Sequence, residues 1–176
     1  MHNMNDTKYY LVTDAIRIPN AARICAENNI DYGKLYLGTP WYTQIKNSPL
    51  WIRIQKHDAV YQHWLTAQDW ADSSVLFEFE AECLHDNNIL SLQQNITITS
   101  DDERLLFFRF YSPKTLHRVA TELDNVQTSA LCGLAQRIQT SPLSRYGQGL
   151  SIINPTKTHT TQTLTISQVL AEALLS

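Results

Sequence analysis

Arg104-Leu105-Leu106-Phe107-Phe108-Arg109-Phe110-Tyr111-Ser112-Pro113 reads as a strand running straight into a helix. The first eight residues are apolar and aromatic apart from two arginines, the composition of a sheet interior. Such a near-continuous run marks a strand buried on both faces, which predicts Leu105 to Phe110 as the centre of a mixed sheet. Ser112-Pro113 then supplies a hydroxyl N-cap and a proline at the first helical position. Arg109, set within the apolar run, needs a carboxylate or carbonyl partner. It serves either an internal ion pair or a contact with another protein.

Working outward, Ile96-Thr97-Ile98-Thr99 alternates apolar and polar residues, and Asp101-Asp102 supplies turn chemistry, so a hairpin leads into this strand. Beyond Pro113, Leu116, Val119 and Ala120 face inward. Asp124 with Gln127 three positions later has the form of a capping box. It opens a helix whose apolar stripe runs through Val126, Ala130, Leu131, Leu134 and Ile138.

The N-terminal half alternates in the same way. Tyr9 to Thr13 is a β-branched and aromatic strand, Asn20 caps a helix through Ile24 and Cys25, and Leu35-Tyr36-Leu37 is a short second strand before Gly38-Thr39-Pro40. Strand, helix and strand so close together predict a βαβ unit with a parallel pair, although a short connection also permits an antiparallel one. Leu50 to Ile54 alternates, with Leu50, Ile52 and Ile54 on one face. Asp58 caps a helix bearing Val60, Tyr61, Trp64 and Leu65, Ser74 to Phe79 is a strand, and a weaker helix covers Ala81 to Leu92.

From Thr140 to Thr163 serine, threonine, glycine and proline dominate, which leaves room for a small hairpin between Leu150–Ile153 and Gln162–Ile166. A helix from Ser167 to Leu175 closes the sequence, with Val169, Leu170, Ala173 and Leu174 as its stripe. The predicted fold class is therefore α/β: a mixed β-sheet packed with helices, followed by a short C-terminal appendage ending in a helix. The division falls at residues 1–138 for the α/β domain and 139–176 for the appendage.

Composition narrows the function. Among 176 residues, 43% are hydrophobic and 18% charged, which excludes intrinsic disorder. Fourteen Lys and Arg against 17 Asp and Glu give a net charge of −3, unlike a phosphate-backbone binder. Cys25, Cys83 and Cys132 form no CxxC pair and sit among apolar residues, as expected of reduced thiols in a cytoplasmic protein. The polar N-terminus has no signal-peptide core, and no apolar run reaches the roughly 18 residues of a membrane span. Metal-ligand spacing, a nucleophile elbow and a phosphate-binding loop are all missing, so neither a catalytic site nor a cofactor is expected.

What remains is binding. Tyr36, Trp41, Tyr42 and Trp51 cluster around Gly38-Thr39-Pro40, and aromatics on a loop make good interface anchors. Tyr36 and Trp51 are expected in the core, while Trp41 and Tyr42 belong either to the core or to an interface. The C-terminal helix docks either back onto the domain or onto a partner, in which case Val169, Leu170 and Leu174 join Trp41, Tyr42 and Arg109 as partner-binding residues.

Five segments in order resemble one family. They are residues 9–15 (YYLVTDA), 34–40 (KLYLGTP), 48–54 (SPLWIRI), 70–74 (WADSS) and 104–113 (RLLFFRFYSP), with Gln127 to Gly133 as a closing segment. The set is similar to the type VI secretion effector adaptors, or effector chaperones, long catalogued as a bacterial domain of unknown function. Ser112-Pro113 stands where that family usually has Asp-Pro, and Trp70-Ala71 where it often has Trp-Gly. The C-terminal part is shorter. The resemblance implies a non-enzymatic cytoplasmic protein that binds a toxic effector in the producing cell and helps load it onto the VgrG spike. Its partners would be effector and spike, not nucleic acid or membrane. An immunity or regulatory protein-binding module is the alternative with the same size and chemistry.

Overall fold

The computed structural model describes residues 7–156 and 163–175. Nine strands and seven α-helices follow in chain order: β1 (Lys8–Thr13), α1 (Ala21–Glu27), β2 (Tyr32–Lys34), a 3-10 segment (Pro40–Asn47), β3 (Leu50–Ile54), α2 (Ala59–Thr66), α3 (Gln68–Ser73), β4 (Ser74–Phe79) and α4 (His85–Gln93), then β5 (Thr97–Ser100), β6 (Leu105–Phe107), α5 (Pro113–Ala120), α6 (Asn125–Cys132), β7 (Arg137–Thr140), β8 (Ser151–Ile153), β9 (Thr165–Ile166) and α7 (Gln168–Leu175). The main sheet has the order β2-β3-β1-β4-β7-β8 and the smaller one β6-β5-β9. The α/β class holds, with two sheets rather than one.

Every pair in the main sheet is antiparallel. β2 pairs with β3 rather than β1, so the parallel βαβ reading gives way to the antiparallel one. The parallel pair lies elsewhere, between β5 and β9, where Thr99 meets Thr165.

β1 holds the centre of the main sheet. Tyr10, Leu11 and Val12 are all fully buried because both faces are covered. Leu11 faces α1, α2 and α3 through Ile18, Cys25, Val60, Trp64 and Trp70. Tyr10 and Val12 face the opposite way, with Val75, Phe77 and Phe79 from β4, toward the small sheet and α4 to α7. The molecule is thus three layers deep around one sheet, the arrangement that lets each strand bury alternate residues in two cores.

Four local expectations need correction. The central strand is β1, not Leu105 to Phe110: β6 ends at Phe107 and forms an edge of the small sheet. Leu35-Tyr36-Leu37 is a turn, not a strand. β2 lies just before it, where Gly33 is needed because a Cβ would come within 2.6 Å of the Trp51 ring across the pair. The stripe toward Ile138 is broken at Gly133 (φ +57°), which ends α6 and lets Ile138 enter β7. Leu150–Ile153 pairs with β7 and β9 pairs with β5, so the expected hairpin does not form; Gln162 lies outside the described residues. The 138/139 division falls inside β7.

The capping predictions fare unevenly. Asp124 and Gln127 form the reciprocal box, at 2.8 and 2.9 Å. Ser112 Oγ accepts from the Thr115 amide, with Pro113 leading α5. Asp58 instead accepts from the Gln55 amide at 2.7 Å, and Asn20 makes no side-chain cap bond.

The thiols behave as core groups. Burial pushes Cys25 up to about 11 and Cys132 up to about 12. At pH 8 their thiolate fractions are then about 10⁻³ or less. A disulfide reagent added to native protein should therefore modify half-buried Cys83 first and reach the other two only on unfolding. Equal rates at all three thiols would contradict this packing.

Candidate interaction groove

The turn after β2 places the aromatic cluster. The Tyr36 amide donates to Ser48 Oγ at 3.0 Å, and the Tyr36 carbonyl accepts from Thr39 Oγ1 at 2.7 Å. Thr39 Oγ1 in turn accepts from the Trp41 amide, capping the 3-10 segment that Pro40 begins. Gly38 turns the chain at φ +75°. These bonds swing Trp41 over the small sheet, where its indole N–H donates to Thr97 Oγ1 at 2.9 Å.

Thr97 lies opposite Phe107 on β6. The Trp41 and Phe107 rings are 4.8 Å apart, and Tyr36 meets Phe107 edge-on at 6.3 Å. Phe107 nevertheless remains 42% exposed and Leu105 74% exposed. Large apolar side chains in that state are the raw material of binding surfaces.

The polar wall comes from the end of β1. Asp14 Oδ1 accepts from the amides of Ile16 and Arg17, turning the chain so that Ile16 projects into solvent. Asp14 Oδ2 lies 3.7 Å from both Arg17 and Arg109. Arg109 thus has the carboxylate partner that the sequence required, yet its side chain is 49% exposed. A hydrogen bond to Tyr111 is the main influence raising its basicity, and partial burial opposes it. Burial, with Tyr111 alongside, pushes the Tyr36 phenol well up, so it stays uncharged beside Arg109.

Ile16, Tyr36, Trp41, Phe107, Arg109 and Tyr111, with Gln44 and Asn47, enclose an open groove of about 380 Å³. A cleft of about 750 Å³ lies toward the other end of β1, lined by Lys8, Tyr9, Arg53, Gln55 and Lys56. Its walls are mainly polar, and Lys8 Nζ is already bonded to the Cys83 carbonyl. The smaller groove offers the better protein anchor because aromatics form its walls.

Two of the residues chosen from sequence, Trp41 and Arg109, meet in this groove. Tyr42 is exposed on the same 3-10 segment but does not line it. On α7 the inward stripe is Leu170, Ala171 and Leu174, while Val169 is 81% exposed. The helix is rotated from the expected stripe and docks on the domain. Arg104 reaches Glu172 at 2.9 Å and Arg118 donates to the Ala173 carbonyl at 2.9 Å. Leu170 is committed to the core and is not presented to a partner. Sequence reading missed Ile16, Phe107 and Tyr111. From Leu105 to Phe110 every second residue is buried, but apolar side chains at both sets of positions hid that alternation, and Tyr111, buried next to Phe110, breaks it.

No group of three or more His, Cys, Asp or Glu among the described residues is arranged to hold a metal ion. No described helix is long and apolar enough to cross a membrane. No curated protein and no solved structure matches the chain. The family model described as "Domain of unknown function (DUF4123)" matches residues 9–130, from β1 into α6, a span that contains every residue lining the groove. The chain therefore belongs to the DUF4123 family.

Proposed function

We propose that this protein is a non-enzymatic adaptor of type VI secretion, acting in the cytoplasm of the producing cell. It binds a toxic effector and helps load it onto the VgrG spike, with no cofactor and no role for nucleic acid or membrane. The observation that carries the reading is the groove, where Trp41 and half-exposed Phe107 stand beside a charged Arg109. Aromatic and arginine side chains dominate the energetics of protein interfaces. The five ordered segments quoted from the sequence fall within the family match, which supports the same reading.

Affinity-tagged protein expressed at native level in the producing cell should co-purify with one type VI effector and with VgrG. Deleting the gene should abolish secretion of that effector while leaving the cell unharmed. Recovery of neither partner overturns the reading. Self-intoxication on deletion overturns it in favour of an immunity protein.

A further inference from the structure

β6 presents an unpaired strand edge beside the groove. The Phe108 amide donates to the Ile96 carbonyl and the Ser100 amide to the Arg104 carbonyl, so the even-numbered residues of this segment face β5. The N–H and C=O groups of Leu105 and Phe107 therefore point away from the sheet. They meet no other backbone group among the described residues. The two residues also project their exposed side chains to one face, as alternate strand positions must. Natural sheets usually blunt such an edge with charge, proline or a covering loop. Here the exposed residues are leucine and phenylalanine.

Charge at the end of this edge is unbalanced. Arg17 and Arg109 share the single Asp14 carboxylate at 3.7 Å each, and both guanidinium groups are about half exposed. The neighbouring carboxylate, Asp72, is committed to Arg145 at 2.8 Å. Among the described residues one cation is left in surplus beside an apolar groove, a setting that favours a carboxylate from outside.

We propose that the effector, on the adaptor reading, supplies an extended segment that pairs with β6 along Leu105 to Phe107. One apolar side chain enters the groove between Trp41 and Ile16, and an adjacent Asp or Glu meets Arg109. Main-chain bonds give affinity in such strand addition, and the pocket with its cation gives specificity.

The probe is the effector that co-purifies with the wild-type chain, titrated by calorimetry against purified variants. Leu105→Pro removes only an outward N–H, which an edge strand tolerates. It should weaken binding by about tenfold or more with the melting temperature little changed, and Arg109→Gln, which removes the charge without setting a second carboxylate against Asp14, should also weaken binding. Hydrogen exchange on the wild-type complex reads the pairing directly: the Leu105 and Phe107 amides should become protected when effector is bound. Unchanged exchange there, or unchanged affinity in folded variants, overturns strand addition and leaves the adaptor reading standing. Absence of any effector overturns both. A wild-type dimer that Leu105→Pro dissociates overturns the proposal by assigning the edge to a second copy.

Discussion

Phe110→Ala should destabilise the protein by about 4 kcal/mol, within the usual range for truncating a buried phenylalanine. Phe110 is fully buried although it lies in the turn between β6 and α5. Its ring stands edge-on to Phe77 of the main sheet at 5.7 Å and to Tyr111 at 5.6 Å. It therefore pins the start of α5 to the central layer, and alanine would leave a cavity between rigid neighbours. At roughly 2–4 °C per kcal/mol for a chain of this size, the melting temperature should fall by about 8–16 °C. Phe107→Ala, three residues earlier and half exposed, should lower it by only a few degrees. Equal losses for the two variants would contradict the alternation along this segment.

Asp72→Ala should destabilise by about 3 kcal/mol, through loss of hydrogen bonds to a buried charge. Asp72 sits on α3 with its side chain 5% exposed. Oδ1 accepts from the Arg145 amide at 2.8 Å, and Oδ2 accepts from Arg145 Nε at 2.8 Å and from Gln68 Nε2 at 3.0 Å. These bonds fasten the loop after β7 to the helical layer. Burial opposes ionisation, but the Arg145 amide, Gln68 and the Arg145 guanidinium outweigh it and hold the carboxyl below its ordinary range. A depressed folded-state pKa gives a contribution that is complete above the unfolded value of about 3.9 and disappears as pH falls through the folded one. Urea midpoints should therefore separate wild type from Asp72→Ala widely at pH 7, and the gap should narrow below about pH 4. A gap independent of pH would mean that the carboxylate is not the stabilising species.

Much of the fold could be read from residue order because local chemistry and final environment agreed. β3 and β4 appear with the predicted bounds, and the capping box at Asp124 forms as written. Failures arose where burial and secondary structure part company. Leu35 and Tyr36 are buried by a hydrogen-bonded turn, so an apolar run there did not mean a strand. Phe108 and Phe110 are buried beyond the end of β6, which made a one-faced segment resemble a two-faced central strand. α3 escaped notice because it is six residues long, and Asp72, a polar residue on it, is buried by partners 73 positions away. The groove was half legible. Trp41 and Arg109 stand out by type, but only tertiary structure brings Asp14, from the end of β1, beside Arg109.

The joining of β9 to β5 sets a kinetic order. Thr99 and Thr165 touch although they lie 66 positions apart in sequence, whereas β5 and β6 meet through a tight turn. Closing so long a loop is rewarded here by only two residue pairs, whereas β1 and β4, equally far apart in sequence, gain six. During refolding the hairpin of β5 and β6 should therefore collapse onto the central layer first, with β9 and α7 arriving as a final latch. The same segment is the natural first element to open under native conditions, a sub-global fluctuation that bares Leu164, Ile166 and Leu170 together. A protease acting on the folded protein would find its earliest foothold there, long before the central layer yields.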